Sequence, residues 1–70
     1  MHKAVYVKLG QNIKKRRKEL GITQEVLADK IGKGLNFVGK VEVAFSRPSL
    51  NTVIDIANTL DISLKDLFDF

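Results

Sequence analysis

The sequence predicts an all-α fold, a compact bundle of five helices. Apolar residues recur three and four positions apart through most of the 70 residues, as on the buried face of a helix. Thr23, Ser49 and Ser63 each precede such an apolar set, and hydroxyl side chains commonly cap helix N-termini. Gly21 and Gly32 each follow one, and glycine commonly ends a helix. The length favours one domain over residues 1–70.

The same signals give approximate helix bounds. Helices 1 to 4 are predicted at residues 5–20, 24–31, 35–43 and 50–60, and a short helix 5 follows Ser63. The residues expected to face the core are Leu9, Ile13, Leu20, Leu27, Ala28, Ile31, Val38, Val41, Leu50, Val53, Ile56, Ala57 and Leu60.

Composition limits how such a domain can be stabilised. A chain of this length buries roughly 60% of its unfolded surface, which leaves a marginal core. The sequence has no cysteine, so neither a disulfide nor a thiolate metal site can add stability. Dimerisation could supply further burial. No apolar run is long enough to span a bilayer, and no secretory signal is evident, so we expect a cytoplasmic protein without a membrane partner.

The net charge of +4 is unevenly distributed. Residues 1–48 carry 11 Lys and Arg against 4 Asp and Glu, a local +7, whereas residues 49–70 carry 1 lysine against 4 aspartates, a local −3. This asymmetry fits a basic face toward a polyanion and an acidic end turned away. Solvated charge clusters on a small protein explain it as well, so charge alone does not decide between the two.

The sequence offers little for catalysis. It has no cysteine, and its one histidine, His2, lies at the terminus, so the common nucleophile–base pairs are missing. No glycine-rich phosphate loop or metal-ligand spacing is present. We therefore expect no enzyme, no cofactor and no metal, and no small-molecule ligand is evident.

The stretch at residues 23–48 organises the chain. After the capping Thr23, one apolar helical set ends at Gly32, and a second set with Leu35, Val38 and Val41 begins shortly after. Two short helices joined by a tight glycine turn are typical of a helix-turn-helix, here at about 23–43. The second helix of that motif can enter the DNA major groove.

The resemblance to known proteins is closer than this motif. The sequence resembles the Cro/phage-repressor (XRE) type of helix-turn-helix proteins in the segments LGQNIKKRRKELGITQEVLADKIG, FVGKVE and PSLNTVIDIANTLDISLKDLF. These align without gaps over residues 9–68, and residues 21–28 are the most specific part. The resemblance implies a lambda-repressor-like bundle and a transcriptional regulator of double-stranded DNA. The short length of this chain is similar to that of restriction–modification controller proteins and small phage-type repressors.

The resemblance also implies roles for individual residues. Gln24 falls where the family places a glutamine near the DNA backbone, although a polar first-turn residue without a ligand is the alternative. Arg47 lies in a loop whose basic residues meet phosphate. Arg17 and Glu42 match a family ion pair, which we expect to be at least partly buried and to fix helix 1 against helix 3.

Helical geometry adds further DNA contacts. It places Leu35, Asn36, Gly39 and Lys40 on or near the outer face of helix 3. Asn36 could bind adenine, Lys40 could reach guanine or phosphate, and Leu35 could contact a thymine methyl group. Lys33 in the turn and Asn51 in the first turn of helix 4 suit the phosphate backbone.

The C-terminal end, about 61–70, carries a large apolar load for one short helix. In Cro/repressor-type proteins this end often builds a two-fold dimer interface. We therefore expect a homodimer whose interface includes Ile54, Leu64, Leu67 and Phe68. Alternatively, Leu64 and Leu67 only close the core of the monomer.

The recognition region departs from the family pattern. Gly34 replaces the usual serine or threonine cap, Gly39 lies inside helix 3, and apolar residues occupy the usually polar turn at 43–45. We expect Phe37 and Phe45 to fold back onto the core. The departures leave open an alternative function, a protein-interaction module (antitoxin or anti-repressor-like) with weak or non-specific DNA binding.

Overall fold

The structure, a computed structural model, describes residues 2–70. It contains five helices: α1 (Lys3–Glu19), α2 (Gln24–Lys30), α3 (Phe37–Glu42), α4 (Leu50–Thr59) and α5 (Leu64–Leu67). No strand occurs within this part of the chain, and the predicted all-α fold is confirmed. The predicted bounds agree closely except for α1, which begins two residues earlier, and α3, which is shorter at both ends.

One apolar core joins the five helices. Every helix contributes at least one fully buried side chain, and the core consists of Leu9, Ile13, Leu27, Ala28, Val38, Val41, Val53, Ile56, Ala57, Leu60 and Leu67. No helix here could bury its apolar face alone, because helices this short depend on tertiary packing. The described residues therefore form one packed unit.

Two residues expected in the core lie elsewhere. Leu50 is 66% exposed and Leu20 is 41% exposed. Leu50 is the first residue of α4, one turn before the helix packs against the core, and Leu20 lies just past the last turn of α1. A periodic pattern of apolar residues can continue through the end of a helix, whereas packing against the core stops there. The predictions that Leu20 and Leu50 face the core were therefore wrong.

Three helices begin with the predicted caps. The Thr23 hydroxyl accepts a hydrogen bond from the Val26 N–H at 3.1 Å, and Ser49 accepts one from the Thr52 N–H at 3.2 Å. Ser63 accepts one from the Asp66 N–H at 3.0 Å. Each cap satisfies a backbone donor that the helix leaves unpaired, and each contributes about 1 kcal/mol.

Gly10 allows a close approach between α1 and α3. A Cβ at this buried position would lie 2.6 Å from the carbonyl oxygens of both Val41 and Glu42. Only a residue without a side chain lets the α1 backbone rest against the end of α3. The sequence pattern did not single out Gly10.

Polar side chains of α1 bind the C-terminal ends of the last two helices. The Asn12 amide donates to the Leu67 carbonyl at 2.9 Å. Arg16 donates from Nε to the Leu60 carbonyl at 2.9 Å and from Nη2 to the Asp61 carbonyl at 3.1 Å. These carbonyls have no partner within their own helices. The bonds therefore hold α4 and α5 against α1.

Candidate nucleic-acid interface

The turn between α2 and α3 is built around Gly32. This residue has φ +70°, a left-handed conformation that glycine adopts without strain. Its N–H donates to the Asp29 carbonyl at 3.2 Å, and the Lys33 N–H donates to the Ala28 carbonyl at 2.9 Å. This pair of bonds is a Schellman motif, which ends α2 and redirects the chain toward α3.

The second helix of the motif starts later than the sequence pattern predicts. Leu35 and Asn36 lie in the turn before α3, and Asn36 makes no side-chain capping bond. Gly34 has no side chain with which to cap a helix, and its carbonyl accepts the Phe37 N–H at 3.1 Å in a single turn. The absent cap agrees with the later start of α3, which has six residues.

All the residues predicted to contact DNA are exposed, namely Gln24, Lys33, Leu35, Asn36, Lys40, Arg47 and Asn51. Lys33 and Leu35 line an open groove beside α2 together with Thr23. Arg47 lies apart from them, in a groove that it shares with Tyr6. The structure therefore leaves each of these side chains accessible.

Arg17 and Glu42 form a buried ion pair that joins α1 to α3. Arg17 donates from Nε to Oε2 of Glu42 at 2.7 Å and from Nη2 to Oε1 at 3.1 Å. The side chains are 9% and 1% exposed. Arg17 Nη1 also donates to the Ile22 carbonyl at 2.8 Å. Since the charges compensate each other and the hydrogen bonds are made, the pair holds three segments together.

Gln24 extends this pair to the surface. Its Nε2 donates to Oε1 of Glu42 at 2.9 Å. An amide nitrogen carries two N–H donors, so one is used internally and the second can serve a ligand. Gly39 is half-buried beside this amide: a Cβ there would lie 3.3 Å from Oε1 of Gln24. Gly39 therefore faces α2. The sequence had instead predicted a position on or near the outer face of helix 3.

The loop after α3 carries exposed apolar side chains. Val43 is 74% exposed and Phe45 is 78% exposed, so the expectation that Phe45 folds onto the core was wrong. The Phe45 N–H donates to the Lys40 carbonyl at 2.8 Å, and Ala44 adopts a left-handed φ of 61°. This tight reversal turns the Phe45 side chain outward. Phe37, in contrast, is half-buried and packs against the core as expected.

Two of the candidate phosphate contacts lie over aromatic rings. The Arg47 guanidinium carbon is 4.8 Å from the centroid of the Tyr6 ring, and the Lys33 Nζ is 5.4 Å from that of Phe37. Both distances lie within the usual range of a cation–π contact. Neither contact was predicted from the sequence. Tyr6 and Arg47 are far apart in the chain, so no local pattern links them, whereas Lys33 and Phe37 are only four positions apart.

The residues predicted for a dimer interface divide into two groups. Leu67 is fully buried in the core of its own chain, so its side chain has no surface to offer a partner and its assignment to the interface is corrected. Leu64 and Phe68 are each 38% exposed, and Ile54 is partly exposed. The alternative, closure of the monomer core, therefore holds for Leu67.

Within residues 2–70, no group of three or more His, Cys, Asp or Glu side chains could hold a metal ion. No helix in the same part of the chain has both the length and the apolar character needed to cross a bilayer.

Comparisons with known proteins agree with this geometry. The helix-turn-helix family model HTH_3 matches residues 13–67. The crystal structure of the restriction–modification controller protein C.AhdI from Aeromonas hydrophila is similar, with a TM-score of 0.87 and 36% sequence identity. That match covers 94% of this chain and 96% of the controller chain.

A curated relative is similar in sequence. The uncharacterised HTH-type transcriptional regulator YqaE from Bacillus subtilis (strain 168) is 39% identical over 57 residues, which cover 81% of this chain and 49% of that protein. The chain thus spans about half the length of this relative. The chain has a capped helix, a Schellman turn and a second helix that exposes Lys40, and both its sequence and its fold match these proteins. It belongs to the helix-turn-helix family of DNA-binding transcriptional regulators, which are not enzymes.

Proposed function

We propose that this chain is a single helix-turn-helix domain that binds an inverted-repeat operator as a homodimer and regulates transcription sequence-specifically. The observation that carries the proposal is the exposed side chains of Asn36 and Lys40 at and within α3, directly after the tight turn. This is the position from which a recognition helix contacts base edges. A cytoplasmic location fits such a role.

In this proposal the bases are contacted by three side chains. Asn36 offers the paired donor and acceptor that match the adenine edge, and Lys40 donates to the guanine acceptors O6 and N7. Leu35, which is 63% exposed, meets a thymine methyl group. Such contacts discriminate between bases by about 1–3 kcal/mol per good pair.

The phosphate backbone is contacted by a second group of residues. Lys33 and Arg47 supply charge, and Asn51 supplies an exposed amide at the start of α4. Gln24 supplies the second N–H of its side-chain amide, since the first is bonded to Glu42. Contacts of this kind orient a protein on DNA but do not read the sequence.

The homodimer would place the two α3 helices in successive major grooves, about 34 Å apart. Ile54, Leu64 and Phe68 are the candidate interface, since each retains exposed apolar surface. Sedimentation of wild type and Leu64→Lys tests this. We expect a dimer that becomes a monomer of unchanged helix content, and a wild-type monomer at high micromolar concentration would contradict the proposal.

Selection of bound duplexes from a random DNA pool, at about physiological salt, tests the operator. We expect enrichment of one palindromic sequence. Lys40→Ala and Asn36→Ala should abolish specific binding, whereas Lys65→Ala, the same change at the acidic end of the chain, should not. Affinity should also fall steeply with salt, because each phosphate contact releases counterions. Retention of DNA without sequence preference, or a flat salt dependence, would refute the proposal.

A second candidate function is favoured by the exposed apolar side chains of Leu35, Val43 and Phe45. Large apolar side chains that are exposed in one region of a small protein can mark a protein-binding site. In that case the chain is a protein-interaction module, antitoxin-like or anti-repressor-like. Phe45→Asp should then break a protein complex, while Lys40→Ala and Asn36→Ala should have little effect.

A further inference from the structure

Two cations of the candidate phosphate-binding group lie on aromatic rings that are anchored in the core. Arg47 lies over Tyr6 at 4.8 Å and Lys33 lies over Phe37 at 5.4 Å. Both rings are only partly exposed and pack against the buried core cluster. Each ring therefore has a fixed position, whereas the cation above it is on the surface.

The contact between Tyr6 and Arg47 joins two segments that are far apart in the sequence. Tyr6 is on α1, and Arg47 is in the loop between α3 and α4. Pro48 follows Arg47 and restricts the backbone of the preceding residue to extended conformations. With the backbone restricted and the ring fixed below it, the guanidinium has few remaining positions.

A ring contact and a phosphate contact use different parts of the guanidinium group. An aromatic ring attracts the face of the planar cation, whereas phosphate is bound by its in-plane N–H donors. One Arg47 side chain can therefore make both contacts at once. The same holds for Lys33, whose ammonium has three donors around the axis of its side chain.

We propose that Tyr6 and Phe37 are positioning residues, which hold Arg47 and Lys33 where they meet DNA phosphate. The inference rests on the proposed DNA-binding function and makes the N-terminal turns of α1 a support of the interface. Long cationic side chains lose conformational freedom when they bind, and a ring that orders them in the free protein removes part of that loss. The rings themselves contact no DNA in this account.

A double-mutant cycle on the selected duplex tests Tyr6. Tyr6→Leu keeps an apolar side chain and removes the ring, and we expect it to weaken DNA binding about two- to fivefold, as the loss of an exposed cation–π contact would. Tyr6→Phe keeps the ring and should bind like wild type. In the Arg47→Ala background, Tyr6→Leu should have no further effect. The corresponding variants at the other site are Phe37→Leu, Phe37→Tyr and Lys33→Ala.

The salt dependence of binding separates positioning from folding. Arg47→Ala should lower the slope of log affinity against log salt by about 0.9, the value of one phosphate contact. Tyr6→Leu should lower it in the same direction, which a loss of stability alone would not do. Thermal melts of each variant identify those that are unfolded at the temperature of the binding assay.

The possible results are distinguishable from failure of the proposed function. An equal effect of Tyr6→Leu with and without Arg47, or an equal loss with Tyr6→Phe, would overturn the positioning role. So would unchanged binding by Arg47→Ala in a protein whose binding still depends on Asn36 and Lys40; the DNA-binding function would then stand. A wild-type chain that binds no DNA would overturn both.

Discussion

Gly10→Ala tests the packing of α1 on α3. A glycine in the middle of a helix is normally less stable than alanine by about 1 kcal/mol, so helix propensity predicts that this substitution stabilises the protein. The structure predicts the opposite sign. The new Cβ would lie 2.6 Å from the carbonyl oxygens of Val41 and Glu42, and 2.9 Å from the Glu42 carbonyl carbon.

The magnitude follows from what has to move. The neighbouring atoms are backbone, so no side chain can swing aside, and α1 must retreat by the 0.8 Å that separates 2.6 Å from ordinary contact at 3.4 Å. Overpacking of this kind costs about 1–3 kcal/mol and occasionally more. The retreat also pulls Arg17 away from Glu42, whose bonds are as short as 2.7 Å. We expect a net loss of about 1–3 kcal/mol, since the added strain outweighs the gain in propensity.

The matched control is Gly39→Ala, the other glycine within a helix that packs against a neighbour. Its Cβ would lie 3.3 Å from the end of the flexible Gln24 side chain, which can adjust. Gly39→Ala should therefore be neutral or stabilising by up to about 1 kcal/mol.

Urea denaturation followed by far-UV circular dichroism, at one protein concentration, measures both variants. For a domain of this size each kcal/mol shifts Tm by about 4–8 °C, so thermal melts give a second reading. If Gly10→Ala proves as stable as Gly39→Ala, or more stable than wild type, α1 and α3 are not in the close contact described.

Three further predictions concern stability and assembly. Glu42→Gln leaves the buried Arg17 charge without its counter-charge and should lower the free energy of unfolding by about 3–5 kcal/mol; wild-type stability in a denaturant titration would contradict this. Ala44→Gly relieves a left-handed φ of 61° and should raise stability by about 0.5–1 kcal/mol, seen as a higher Tm. Leu67→Ala should cost about 2–5 kcal/mol in a urea titration because its side chain is fully buried, whereas Leu64→Lys should cost the monomer little.

Much of the fold follows from local signals. Thr23, Ser49 and Ser63 cap the helices that they were expected to cap, because a hydroxyl next to an apolar helical set acts through neighbouring backbone groups alone. Gly32 ends α2 for an equally local reason, its left-handed φ. The Arg17–Glu42 pair links distant positions, and it was anticipated only through resemblance to a family.

The failures occurred where long-range packing decides. Phe37 and Phe45 are the same residue type in the same region, yet one packs on the core and the other is 78% exposed. The difference is the chain reversal at Ala44. Its left-handed conformation cannot be predicted from the sequence, because alanine rarely adopts it. The role of Gly10 depends on two carbonyl groups more than 30 positions away in the sequence. Within the candidate site, exposure agreed with expectation, but the ring contacts of Arg47 and Lys33 were not foreseen.

The bonds that α1 makes to the last two helices have a consequence for truncated chains. Asn12 bonds to the carbonyl of Leu67, 55 positions later, and Arg16 bonds to that of Leu60, 44 positions later. Most helical bundles fold quickly because their contacts are local in sequence. Here the first helix packs against α3 through Gly10 and Arg17, but its bonds to the last two helices span most of the chain. Packing of α1 is therefore complete only when the chain as far as Leu67 is in place, so a chain cut before α4 would leave Asn12 and Arg16 without these partners.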